Sequence, residues 1–402
     1  MSEFLTGLFR VSDPGEARGN SITAREMLDR GAKRITTDLQ QRPEVQARLM
    51  HVMAEVYKSL GLYSQAVDLL VQEVRIRERL SGPNTAEVAE ALDDLGDSYR
   101  YWGRIADAEP ALRRALAIRR TLHGDMHVEV AQSTNNLALV LDEQQHYEES
   151  EALHREALRI RRAVRGDRSA ETSNSLSNLG RVLALRGKYE ESERVLREGL
   201  ALRESLFGHV HPLTANTMAH LGRTLASLGR YDEAETTLRE ALRVRRVVLD
   251  AGHADITRNL TFLGAALRAA GKLAEAETVY AEAVARERVR VGDRHVDTAL
   301  ALHGLGLVRE QQGALRPAEA LFREALDIRR EQRDDTHPLV AQALASLGRV
   351  LAHEGRAREA EPLLREALAI RLQRLEPTHP DVVDLQRLLD SVQAVQPKPS
   401  AR

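Results

Sequence analysis

Histidine returns in this chain on a 42-residue register, at His127, His211, His253, His295, His337 and His379, with Pro212, Pro338 and Pro380 directly after three of them. Imidazole is the commonest metal ligand, so the first chemistry to weigh is a ladder of metal sites. Zinc holds its ligand nitrogens at about 2.0–2.1 Å, whereas packed helices stand about 8–10 Å apart. Histidines one register apart therefore cannot share an ion. They are expected to end a loop, with proline opening the next helix where its missing N–H costs nothing. His123/His127 and His209/His211 are closer pairs, on loops with no third ligand in view. Arginine keeps the same register at Arg77, Arg119, Arg161, Arg203, Arg245, Arg329 and Arg371. Such a strip could hold acidic segments through paired hydrogen bonds. Its interleaving with carboxylates points instead to a solvated, ion-paired face. No Ser-His-Asp set, paired-carboxylate spacing or glycine-rich nucleotide loop stands out. The chain has no cysteine, which excludes disulfides, thiolate metal sites and thiol catalysis. No catalytic residue, metal or cofactor is expected.

Bulk composition narrows the partners. The 402 residues hold 58 basic and 60 acidic side chains, for a net charge of −2. Nucleic-acid binders need a basic excess or face because phosphate contacts dominate their affinity, so nucleic acid is not an expected partner. With 43% hydrophobic and 29% charged residues, a packed core is expected rather than disorder. No window approaches the roughly 18 consecutive apolar residues of a membrane helix. The opening MSEFLTGLFRVSDP lacks the basic start and long apolar stretch of a secretory signal. The expectation is a soluble, cytoplasmic protein with no membrane partner.

The elements that position these residues follow from the same period. Glycine stands at Gly61, Gly103, Gly187, Gly229, Gly271, Gly313 and Gly355, and Gln145 takes the remaining place. Glycine at seven of eight equivalent places marks a turn with positive φ between two helices. Eight residues before each lies a bulky apolar residue followed by a small one, as in Leu179-Gly180 and Leu305-Gly306. A small residue inside a helix costs up to ~1 kcal/mol in propensity. Returning in phase, it is expected to let the neighbouring helix approach closely. Ala108, Ser150 and Ser192, five after the turn, and Ala115, Ala157 and Gly199, twelve after it, belong to the same seats. In second helices Glu precedes Arg by four, from Glu109–Arg113 to Glu361–Arg365, each pair adding ~0.2–0.5 kcal/mol. Pro110 and Pro362 are expected to bend or delay their helices.

The chain is therefore read as all-α. Residues 1–18 form a leader, where Phe4-Leu5 and Leu8-Phe9 allow a short helix broken at Asp13-Pro14-Gly15. Residues 19–43 form a half repeat, with a Thr23/Glu26 capping box and a helix from about Ile22 to Leu39. Eight full units fill 44–380, a capping helix 381–394 and a tail 395–402.

The Leu-Gly, turn-glycine, Tyr and Ala signs resemble the tetratricopeptide repeat, whose usual unit is about 34 residues. A 42-residue unit with a longer second helix, an EAL-I-R segment and an HP ending resembles the kinesin-light-chain subclass. HEAT and armadillo repeats share the period but not the Leu-Gly, Gly, Ala spacing. The resemblance implies a right-handed superhelical solenoid of antiparallel helix pairs, with first helices lining a concave groove. It places ligand-facing residues thirteen, nine and six before the turn, and i, i+4 and i+7 do share a helical stripe. These are Asn174, Asn178 and Arg181 in the fourth repeat and Asn216, His220 and Arg223 in the fifth. The third adds Asn136, with Asn135 beside it, and the sixth adds Arg258. Asn can donate to and accept from an extended backbone, and Arg can hold a carboxylate. The pattern fades at Leu300, Gly304 and Leu307 and at Gln342, Ser346 and Arg349.

The expected function is a non-enzymatic protein–protein interaction scaffold that binds an extended peptide, acidic or carboxylate-bearing, in the groove. The segment LFRVSDPGEARGNSITAREMLDRGAKR is similar to the stretch joining a bacterial serine/threonine kinase domain to its tetratricopeptide region. That implies a second reading, a regulatory module of such a system, although no glycine-rich phosphate loop, HRD or DFG is present. Self-assembly through caps or convex faces is a third, with the oligomeric state open.

Overall fold

The structure is a computed structural model that describes residues 24–332 and 335–395. The short helix and break expected between Phe4 and Gly15, Thr23 of the capping box and the tail beyond Val395 lie outside the described residues. Among those residues there are eighteen α-helices and no strand. The chain divides into two compact units, one ending at Lys188 and one starting at Tyr189.

In the first unit, Ala24–Asp38 packs on Pro43–Ser59. Three pairs then follow: Pro43–Ser59 with Tyr63–Ser81, Ala86–Tyr101 with Ile105–His123, and Val128–Glu143 with Tyr147–Arg165. Ala170–Leu185 ends that unit. In the second unit, Tyr189–Phe207 precedes four pairs: Pro212–Ser227 with Tyr231–Val248, Ala254–Ala269 with Leu273–Val291, Val296–Gln311 with Leu315–Gln332, and Pro338–His353 with Ala357–Leu372. Pro380–Val395 packs on the last helix of these. Within each unit, contacts join helices adjacent in sequence and, more sparsely, the first helices of successive repeats, as a repeat array requires.

One backbone motif makes every turn within a pair. At the first, Gly61 N–H donates to Lys58 O at 3.0 Å and Leu62 N–H to Tyr57 O at 2.8 Å, satisfying carbonyls that the helix end would orphan. The middle residue must be left-handed, and the seven turn glycines have φ between 73° and 80°. Gln145 is held at φ 66°, the one non-glycine with positive φ among the described residues. A Cβ in that region costs about 1–2 kcal/mol. Gln145→Gly is therefore expected to stabilise the chain by about 1 kcal/mol, read as a higher urea midpoint. An unchanged midpoint would mean that the Gln145 side chain offsets the strain.

The small residues do what their phase suggested. A Cβ added at Gly222 would lie 2.5 Å from Leu238 Cγ, and one at Gly306 would lie 2.7 Å from a Phe322 ring carbon. The facing Ala108, Ala115 and Ala157 are fully buried. Burying each of Leu112, Leu238 and Leu364 against such a seat is worth roughly 1.5–3 kcal/mol. Pro110 and Pro362 do not delay their helices, which start in register at Ile105 and Ala357. Both prolines are exposed, so water can take the hydrogen bond that each one gives up.

Candidate functional site

The histidine ladder is a set of helix caps. His127, His211, His253, His295, His337 and His379 each accept at Nδ1 from the backbone N–H two residues on, at 3.1–3.3 Å. Thr85 and Ser169 serve the same end with hydroxyls that accept from Val88 and Thr172 N–H. A neutral ring that accepts at Nδ1 carries its proton on Nε2, so the cap uses the lone pair a metal would need. The His123 and His127 rings stack at 4.2 Å, much as Phe207 stacks on His211 at 4.8 Å. The fold brings Glu129, a residue that spacing alone does not join to this pair, to 3.3 Å from His123 Nε2. With His127 committed to its cap, His123 and Glu129 are the two groups that remain for a cation.

The arginine strip is not the solvated face expected from its spacing. Arg119, Arg161, Arg203, Arg245 and Arg329 are 0–7% exposed. Each donates from Nη1 to a backbone carbonyl ten residues on, in the next first helix, at 2.7–3.3 Å. Four also reach a side chain fourteen residues on: Ser133, Ser175, Thr217 or Asn259. The strip therefore stitches second helices to the first helices that follow. Burial pushes Arg203, Arg245 and Arg329 down to about 10. The solvated pairs are the other Glu–Arg set, such as Arg113 with Glu109 at 2.8 Å, extended across repeats by Arg113 to Glu149 at 2.8 Å.

In the first unit, the candidate groove residues form a seam along the first helices. Asn136 Nδ2 donates to Asp93 Oδ2 at 3.2 Å, and Asn178 Nδ2 donates to Asn135 Oδ1 at 2.9 Å. Asn135 is buried and Asn174 half-buried. Burial, only partly offset by the Arg119 charge, pushes Asp93 up to about 6. Arg181 donates to the Asp142 carboxylate. Asp142 also accepts from Ser150 Oγ at 2.6 Å and lies 3.3 Å from His154 Nε2. Burial raises the Asp142 pKa, but the His154 hydrogen bond and the Arg181 charge outweigh it and hold the carboxyl below its ordinary value. Burial pushes the fully enclosed His154 down.

In the second unit, Asn216, His220 and Arg223 are half-buried on Pro212–Ser227, and Arg258 is exposed on Ala254–Ala269. The Arg223 guanidinium lies 5.4 Å over the Phe262 ring, and Arg258 pairs with Asp255 at 2.6 Å. These two helices carry Arg223, Arg258 and Arg268 against a single carboxylate, Asp255.

Two features escaped the sequence reading. Thirteen, nine and six residues before Gly103 stand Glu90, Asp94 and Asp97, an acidic stripe at the same offsets as the candidate residues. Lys58 reaches Asp94 at 3.0 Å, and Arg100 reaches Asp97 at 2.9 Å. Nearby, Tyr101 and Trp102 are 53% and 41% exposed, with Arg100 and Arg104 over their rings. The offsets were legible in the sequence, but the aromatic cluster needed the turn to gather it.

The tetratricopeptide repeat profile matches residues 45–121, 129–205, 171–246, 255–331 and 318–373, and a second profile of the same repeat matches 219–288. The chain belongs to the tetratricopeptide repeat family. Among solved structures, the apo form of the quorum sensor NprR from B. thuringiensis is similar at a TM-score of 0.63 and 13% identity, over 92% of this chain and 97% of that one. A Rap protein complexed with competence and sporulation factor is similar at 0.60 and 13%, over 87% and 98%. A putative kinesin light chain from Podosopora anserina gives 0.45 and 20%, over 52% and 100%. At these identities the likeness concerns the fold alone. A search of the curated proteins found no match. In this tetratricopeptide protein, no helix among the described residues is long and apolar enough to cross a membrane.

Proposed function

We propose that this tetratricopeptide protein is a non-enzymatic interaction scaffold that binds an extended, acidic segment of a protein partner along its first helices. The observation that carries the reading is the charge of Pro212–Ser227 and Ala254–Ala269, three arginines against one carboxylate. Asn216 and His220 add hydrogen-bonding groups on the same stripe as Arg223. In the first unit, Asn136, Asn178 and Arg181 already hold protein partners. The electrostatic share is assigned to Arg223 and Arg258, whose two helices carry the arginine excess. In the first unit, taken by itself, Asn136, Asn174, Asn178 and Arg181 offer hydrogen-bonding groups, with Asn178 held by the buried Asn135. The Rap structure complexed with competence and sporulation factor has the same fold, which supports a ligand-binding use of such repeats.

Affinity capture from the host followed by mass spectrometry would name a partner, and its most acidic segment would be titrated against the wild type and an Arg223→Ala/Arg258→Ala variant. Binding is expected to weaken on the order of tenfold and to lose part of its salt dependence. Equal affinity for the two proteins would discard the assignment. The regulatory-module reading draws on the kinase-linker likeness of residues 8–34, and an in-frame kinase-coding stretch beside the gene would favour it.

A further inference from the structure

Arg329 is an exception among the stitching arginines. It is fully buried, and its one hydrogen bond runs from Nη1 to Leu339 O at 2.7 Å. Its Nε and Nη2 are both enclosed without a partner, a combination found at no other arginine among the described residues. The cause is legible in the register. Fourteen residues on, where Arg119, Arg161, Arg203 and Arg245 find Ser133, Ser175, Thr217 and Asn259, the register of Arg329 holds Ala343. Twenty-nine residues back, where Arg161 Nη2 donates to Gln132 Oε1 at 3.0 Å, Arg329 has Leu300. Both side-chain acceptors have been replaced by apolar groups, while the cation has been kept.

The surroundings do not neutralise it. Arg349 and Arg268 act on His303 together with Arg329 as like charges, and burial alone acts on Arg329 itself, with no carboxylate among the described residues beside it. The Nε–H and the adjacent N–H of Nη2 point the same way, the fork that matches a carboxylate. Leu300 is 47% exposed and holds the groove-facing position thirteen residues before Gly313, so its side chain can swing aside.

We propose that Arg329 is a carboxylate-binding site. An incoming carboxylate pairs its two oxygens with Nε and Nη2, supplying the acceptors that Leu300 and Ala343 do not. The site lies on different helices from Arg223 and Arg258 and stands or falls apart from the acidic-segment assignment.

The test uses the full chain and sodium acetate, compared with sodium chloride at equal ionic strength. Binding is followed by the side-chain Nε–Hε NMR signal of Arg329 and by the thermal midpoint. The wild type is expected to bind acetate, shifting that signal and raising the midpoint. Leu300→Gln with Ala343→Ser restores the internal acceptors. This variant is expected to raise the acetate-free midpoint and to weaken acetate binding on the order of tenfold, the worth of one or two charge-assisted hydrogen bonds. Arg223→Ala/Arg258→Ala is expected to keep the acetate shift of the Arg329 signal, whatever it does to the midpoint. An equal response in the wild type and the acceptor-restored variant overturns the proposal. So does a wild type that ignores acetate while the variant is stabilised, because solvent then serves the fork.

Discussion

Lowering the pH from 7 to 4 is expected to cost the region around His303 about 3 kcal/mol of local stability. His303 is 4% exposed, contacts Ser346 Oγ through Nε2 at 3.1 Å and lies tilted on Phe322 at 5.2 Å. Burial, followed by the charges of Arg329, Arg349 and Arg268, pushes its pKa down to about 3. In the unfolded chain the ring titrates near 6.5. Between those values the unfolded chain binds a proton that the folded one refuses. The stabilisation is thus complete above about 6.5 and drains away as pH falls toward 3. Hydrogen exchange of peptides from Val296–Gln311 and Pro338–His353 at the two pH values reads this locally. His303→Asn, which puts at this position the residue found at Asn135, is expected to flatten the dependence. If it loses protection as steeply as the wild type, the histidine is not the acid-labile group.

Asp142→Ala is expected to destabilise the first unit by about 3–5 kcal/mol, the cost of stripping a buried charge from its partners. The carboxylate holds Ser150, His154 and Arg181 at once, and His154 has no exposed surface. The same place holds Ala184, Ala226 and Ala352 in three other repeats and the charged Lys58, Arg100, Arg268 and Glu310 in the rest, whereas the place of His154 is apolar or aromatic in every other repeat, as at Leu196, Leu238 and Leu364. The third repeat thus sets a carboxylate and a histidine where three others pair an alanine with a leucine, Ala184 with Leu196, Ala226 with Leu238 and Ala352 with Leu364. The double variant Asp142→Ala/His154→Leu is expected to recover much of the loss, with a coupling of about 1–3 kcal/mol in the cycle. Urea unfolding followed through Trp102 fluorescence measures it. A double variant no more stable than Asp142→Ala would show that the pair does not act as one unit. His154 also adds acid sensitivity of the same sign, because its pKa too is lowered by burial.

How far the candidate site was legible follows from which interactions are local. Arg181 and Asn178 were picked out by offset and residue type, yet their partners, Asp142 and Asn135, sit 39 and 43 residues away. An asparagine free to meet a peptide and one tied into a seam have the same offset. Only the packing of successive first helices separates them. The arginine strip misled for a related reason. Arg113 and Arg119 both sit among carboxylates on one helix, but only Arg119 faces the Glu129 carbonyl and Ser133.

Sequence by itself determined the helix pairs, the turns and the close-packed seats. A left-handed backbone residue demands glycine, and a tight helix contact demands a small side chain, wherever the repeat places them. Gln145 shows the strength of that demand, since its backbone follows the glycine geometry at φ 66°. Tertiary structure alone decided what the polar residues do. A histidine became a cap because an N–H two residues on lay within reach of Nδ1, and an arginine became a buried stitch because the next helix offered carbonyls. Arg329 kept its charge while Ala343 and Leu300 withheld the acceptors. Hydrogen-bond satisfaction depends on distance and direction between separate helices, and residue type along one chain records neither.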